Sequence, residues 1–153
     1  AVEWIAPYND LAFGFHKIAK YYYAPGIQEP GSALGLTVNL EAYNNLPTDL
    51  QNIIKYAAGD EAFRMLSEMT AGNAYSLNTL LEKHNVVLKQ FPKDVTDAMF
   101  KAAAEILLEK AEENEFTKKV YQSWFDYWSK VTKLSKLTEL GYMTLRSNYE
   151  RSS

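Results

Sequence analysis

No cysteine occurs among the 153 residues, which excludes disulfides, thiol nucleophiles and cysteine-ligated metal sites. That absence leaves the compartment open, because a reduced cytosolic protein can also lack cysteine. No apolar run approaches the 18 or more residues of a membrane span. Neither charge dominates: 16 basic and 19 acidic residues give a formal net charge of -3. Such a balance gives no electrostatic reason to expect nucleic acid or an anionic membrane as partner. Proline is scarce, at 5 residues, and is missing altogether between Thr48 and His84, so nothing there forces a helix to stop.

Catalytic signatures are missing too. The two histidines, His16 and His84, lie far apart and neither sits in an HExxH pattern; each reads as a surface or helix-end residue. There is no GxSxG elbow, no phosphate-binding GxxxxGK[ST] loop and no GxGxxG after a strand. A Ser/His/Asp triad would need assembly from residues without any local signature. The acidic stretch Glu109 to Glu115 lacks the alternating ligands and the glycine of a calcium loop and reads as a solvated helix end.

What is present is apolar and aromatic. Hydrophobic residues make up 47% and aromatic residues 14%, ample for a core in a chain the size of one ordinary domain. The first residue is Ala1, and no basic stretch followed by an apolar one opens the chain. Val2-Glu3-Trp4-Ile5 reads like the end of a β-strand. A domain rarely begins inside a strand, so the expectation is a fragment of a larger protein.

The elements are mostly helical. Asn9 is a candidate N-cap, with Asp10 in the first turn and Leu11, Phe15, Ile18 and Tyr22 spaced by three and four. Pro25-Gly26 ends that helix, and Tyr21-Tyr22-Tyr23 falls at its end, explained by core packing and a polar rim. Residues 32–39 read as a strand, and residues 40–46 as a single helical turn. Thr48 and Gln51 form a capping-box signature ahead of a helix running to His84, about 55 Å long, with Gly59 and Gly72 as weak points. Asn85 suits a left-handed position. Residues 86–91 read as a second strand, and Pro92 opens the next helix. Asn114 caps the following one, whose stripe of Phe116, Val120, Trp124, Tyr127, Trp128 and Val131 suits a core or a helix-helix seam. A short helix over 138–146 closes the chain. Two or three short strands make no complete sheet. Either this is a helical bundle with a small hairpin, or most of the sheet lies in a missing part of the protein.

Two carboxylates stand out. Glu3 lies in the apolar setting of Val2, Trp4 and Ile5, where burial would be costly without a cation or hydrogen-bond donors. Glu29 lies in a loop directly before Pro30. Brought together the two would repel, and a bound metal ion would relieve that. Kept apart they are two unrelated solvated glutamates, the simpler reading of the residues taken alone.

Residues 2–26, VEWIAPYNDLAFGFHKIAKYYYAPG, run on through Gln28-Glu29-Pro30-Gly31. This segment resembles the DctP-type receptors of TRAP (tripartite ATP-independent periplasmic) transporters, in which a Glu-Trp pair precedes a Pro-Tyr-Asn/Asp-Asp run, a helix and a Tyr-Tyr-Tyr-x-Pro-Gly end. Leu46-Pro47-x-Asp49-Leu50-Gln51, Phe91-Pro92, Val120-Tyr121-x-Ser123-Trp124 and Glu139-Leu140-Gly141-Tyr142 extend the likeness over nearly the whole chain. The resemblance implies the C-terminal half of a periplasmic receptor in the subgroup that binds 2-oxo acids and similar monocarboxylates. It implies a mostly α fold with a few short β-strands, part of a two-lobed α/β periplasmic-binding-protein-like fold with a long bracing helix. Residues 1–46 are then a strand-helix-strand segment carrying the site, and residues 47–153 hold the long helix, a short strand and the C-terminal helices.

The same resemblance assigns roles. Glu3 becomes a metal ligand, Trp4 supplies a backbone carbonyl to the metal and an apolar wall to the substrate, and Glu29 serves both metal and substrate. The metal is sodium or calcium, hard cations suited to oxygen donors. The implied partners are a small organic acid, the TRAP membrane permease subunits and the missing N-terminal half of the receptor. Exposed apolar surface left by that missing half favours homo-oligomers. The arginine that clamps the substrate carboxylate in the family lies upstream, and Arg64, Arg146 and Arg151 do not match its motif, so this chain is expected to bind solute weakly alone. A helical interaction or scaffold protein with no small-molecule ligand is the alternative, and it has no need of the Glu3-Trp4 and Glu29-Pro30-Gly31 pair. A small enzyme is a third reading, which would require a pocket holding a strongly perturbed histidine.

Overall fold

Pro7 has its φ pre-set for a helix and no N–H to leave unpaired, and it opens α1 (Pro7–Phe13) behind Ala6 as N-cap. The helix therefore starts before Asn9, the expected cap. It also stops early. Gly14 adopts a φ of 74° and closes α1 with its own N–H, a left-handed turn that suits a residue without Cβ. One 3-10 turn, Phe15–Lys17, replaces the rest of the expected helix. The tyrosine triplet is a strand, β1 (Tyr21–Tyr23), not a helix end.

The computed structural model describes residues 1–149; Arg151 and its neighbours lie outside them. After β1 come α2 (Leu40–Asn44), α3 (Thr48–Lys83), β2 (Val87–Lys89), α4 (Lys93–Ala111), α5 (Glu115–Leu137) and α6 (Glu139–Ser147). β1 and β2 pair in parallel, Tyr22 opposite Leu88, so the expected hairpin is replaced by a crossover through α3. Two strands read from sequence are not formed. Residues 2–5 and 32–39 run without regular structure, because strand geometry needs a neighbour to take its N–H and C=O groups and the described residues supply none there.

The long helix forms as expected, 36 residues from Thr48, about 54 Å of rise. Its capping box does not. Pro47 is the N-cap, and the Gln51 amide instead donates to the carbonyls of Tyr43 at 3.1 Å and Leu46 at 2.9 Å, satisfying the open end of α2. Asn85 turns left-handed at φ 52°, and Asn114 caps α5 through a reciprocal pair with Thr117.

The chain divides into two compact units, residues 1–92 and 93–153. In the first, α1 lies against α3: the Tyr8 ring covers bare backbone at Gly72, and the Tyr8 N–H donates to Asn73 Oδ1 at 3.0 Å. In the second, α5 lies against both α4 and α6. Cores are small. Among the described residues only Ser76, Leu80, Val86 and Ala111 are buried, while Phe63, Leu66 and Tyr75 on α3 stand 75%, 68% and 77% exposed. The Trp124–Trp128 pair stacks at 5.9 Å between ring centroids, yet both rings are exposed rather than buried in a core.

Candidate functional site

Glu3 and Trp4 lie in the irregular segment ahead of α1, and both are exposed. The carboxylate of Glu3 is therefore solvated, in spite of its apolar neighbours in sequence. Among the described residues it takes part in no ion pair or side-chain hydrogen bond. The Trp4 indole meets Phe13 edge-on, ring centroids 5.7 Å apart at 82°, and Phe13 stacks on Phe15 at 5.8 Å. This short aromatic ladder holds the indole against the C-terminal end of α1.

Glu29 follows β1 in the loop opened by Pro25-Gly26. It too is exposed, and its Oε1 accepts a hydrogen bond from Ser32 Oγ at 2.7 Å. The strand before it is well anchored. Val87 N–H donates to Lys20 O at 2.9 Å and Ala24 N–H to Lys89 O at 3.0 Å. The Tyr23 ring stacks on Phe91 at 4.7 Å. Tyr22 reaches from β1 to α1, where its hydroxyl donates to Asp10 Oδ2 at 2.6 Å. Burial first, then that hydrogen bond and the Asp10 charge, hold the phenol well above its ordinary range.

Glu3 and Glu29 carry no paired cation among the described residues, no hydrogen bond or ion pair joins one to the other there, and the groups they and the Trp4 carbonyl offer are all oxygen donors. Such donors fit sodium or calcium and are poor ligands for softer ions. Among the described residues no three His, Asp or Glu side chains gather as a metal site, so any ion held here needs carbonyl, water or ligand oxygens as well. Two open apolar hollows, one lined by Leu36, Val38, Tyr43 and Ile54 and the other by Phe116, Val120, Trp124 and Tyr127, include none of Glu3, Trp4 or Glu29.

Local sequence gave no hint of one further cluster. The rings of His16, in the 3-10 turn, and His84, the C-cap of α3, meet with centroids 3.9 Å apart and planes tilted by 31°. Only the fold brings them together, since 68 positions separate them.

Residues 1–114 match the DctP family, described as bacterial extracellular solute-binding protein, family 7. Over 148 residues the chain is 33% identical to a monocarboxylate 2-oxoacid-binding periplasmic protein of Nostoc sp. (strain PCC 7120 / SAG 25.82 / UTEX 2576), covering 97% of this chain and 40% of that protein. Two solved TRAP periplasmic solute-binding proteins superpose with TM-scores of 0.86. One, from Colwellia psychrerythraea with bound calcium and pyruvate, is 37% identical and covers 93% of this chain and 43% of its own. The other, from Pseudoalteromonas atlantica T6c with bound sodium and pyruvate, is 38% identical and covers 97% and 44%. The chain thus spans about two fifths of the length of the relatives it matches.

Proposed function

This chain belongs to the bacterial extracellular solute-binding proteins of family 7, the DctP family, and on that footing we propose that it is part of a periplasmic receptor that captures a small 2-oxo acid or similar monocarboxylate for a TRAP permease. The reading is carried by its likeness, over nearly the whole chain, to receptors solved with pyruvate and a hard cation. It describes a binding protein with no reaction to catalyse.

In this proposal Glu3, the Trp4 carbonyl and Glu29 hold sodium or calcium. When bound, the cation offsets the repulsion of the two carboxylates and leaves positions for the solute's carboxylate and oxo oxygens. The Trp4 indole, braced by Phe13, gives the solute an apolar wall, and the Ser32 hydroxyl steadies one oxygen of Glu29. Capture is completed by closure of two lobes about a hinge, the second lobe coming from the part of the receptor outside this chain. None of the arginines in the described residues replaces the carboxylate clamp: Arg64 is engaged by Glu61 on α3 at 2.8 Å, and Arg146 lies on α6.

Native mass spectrometry with added calcium, sodium and pyruvate tests the site. Calcium uptake by this chain should fall about tenfold or more in Glu3→Gln and in Glu29→Gln, since even the outer partners of a metal site typically contribute that much. Uptake equal to the parent in both variants removes the chemical basis of the proposal. Calorimetry with pyruvate should give tighter binding to a two-lobed receptor carrying this segment than to the chain alone.

A further inference from the structure

We propose that His16 and His84 form a pH-sensitive latch at the leading end of the two-stranded sheet, closed while the contacting pair is uncharged and opened when both rings take protons. The topology sets the position. The 3-10 turn carrying His16 leads into β1, and the C-cap carrying His84 leads through Asn85 and Val86 into β2. Because the strands are parallel, both leads arrive at the same end of the sheet, where the rings meet at 3.9 Å with their planes tilted by 31°. The Val87 N–H to Lys20 carbonyl bond closes the ladder just beyond them.

Close contact between two uncharged rings, here tilted by 31°, suits apolar packing and opposes double protonation. Two imidazolium charges at that separation repel, and half-buried His16 is less screened by water than exposed His84. Among the described residues no carboxylate pairs with either ring. The charged groups on the elements that meet here are Asp10 on α1, Lys17 in the 3-10 turn, Lys20 before β1, Glu82 and Lys83 at the end of α3, and Lys89 on β2. None of them makes an ion pair or hydrogen bond with either ring; the Asp10 carboxylate is directed to Tyr22 through Oδ2. The charges that act on His16 are His84 and Lys17, both cationic when charged. With partial burial as the leading cause, they hold its imidazole below the ordinary value. Its Nδ1 is buried without a hydrogen-bond partner among the described residues. Among the described residues no third His, Asp or Glu side chain joins the pair as a metal site.

The sign follows from linkage. A histidine depressed in the folded state stabilises the fold above its unfolded value of about 6.5, and that contribution is lost as pH falls through the folded midpoint. The latch therefore holds at neutral pH and releases under mild acid.

With two histidines in the chain, an NMR titration of this full chain resolves both imidazoles, assigned with His16→Phe and His84→Phe. His16 is expected to titrate below 6.5 and to move up towards it in His84→Phe, which keeps an aromatic ring and removes the charge. Hydrogen-exchange protection of the Val87 amide should drop between neutral and mildly acidic pH in the parent and hold in His84→Phe. If His16 titrates at or above 6.5 in the parent chain, or does not respond to His84→Phe, the latch is wrong. The parent titration alone decides this even if a variant fails to fold.

Discussion

Tyr22 in β1 donates its hydroxyl to the Asp10 carboxylate in α1 across 2.6 Å, and this bond ties the strand that leads to Glu29 to the helix that carries the Trp4–Phe13 contact. The other carboxylate oxygen of Asp10 is buried with no partner among the described residues, so Tyr22 is the donor on which that side chain relies there. Tyr22→Phe should cost about 1–3 kcal/mol, the range for stripping a partly buried polar group of its partner, measured by urea unfolding.

The same bond predicts an alkaline limit. A phenol held above its ordinary value of 10 stabilises the fold fully below pH 10, and the contribution disappears as pH rises through the folded midpoint. Ultraviolet titration should show one of the 11 tyrosines ionising late in the folded chain, and Tyr22→Phe should remove that late step.

Gly59 and Gly72 look alike in sequence and differ in the fold. A Cβ at Gly59 meets nothing within 4 Å, whereas one at Gly72 lies 2.9 Å from Cγ of Tyr8. The atom met is Cγ, at the base of the ring, and the Tyr8 backbone is held to Asn73, so relief needs the whole ring to move and not only its tip. Gly59→Ala should stabilise by about 1 kcal/mol through helix propensity. Gly72→Ala should instead lower the thermal midpoint, the clash outweighing the same gain.

Asn114 accepts from the Thr117 N–H at 2.9 Å and Thr117 Oγ1 accepts in return at 3.2 Å. Asn114→Ala should cost about 1 kcal/mol, seen as reduced helical signal on mild heating. The exposed ion pairs along the helices, such as Lys101 with Glu105 at 3.9 Å, should each change stability by less than about 1 kcal/mol when neutralised.

Large apolar side chains face outwards on α3 and α5, with Phe63 at 75% and Trp128 at 47% exposure. The chain by itself should self-associate with rising concentration in sedimentation velocity, more strongly in sulfate, which reinforces apolar burial. A monomer at every concentration and salt would count against that expectation.

Local rules placed α3, α4 and the Asn114 cap, because propensity, proline placement and capping act within a few residues. They failed where a decision needed a distant partner. Residues 2–5 and 32–39 have strand-like composition but no neighbour to bond. The tyrosine triplet became a strand only because Val87–Lys89 lies beside it. Glu3 has apolar sequence neighbours, yet Val2, Trp4 and Ile5 are themselves exposed, so local sequence alone could not say whether its carboxylate is buried.

By itself the sequence determined the long helix, the left-handed Asn85 and, through the Glu3-Trp4 and Glu29-Pro30-Gly31 segments, the family; each depends on residue identity or on contacts a few positions apart. Tertiary structure alone decided the parallel pairing of β1 with β2, the seating of Tyr8 on Gly72 and the contact of His16 with His84. These join residues more than 60 positions apart. The free energy of such contacts depends on where the backbone carries them, and no local pattern of residues encodes that.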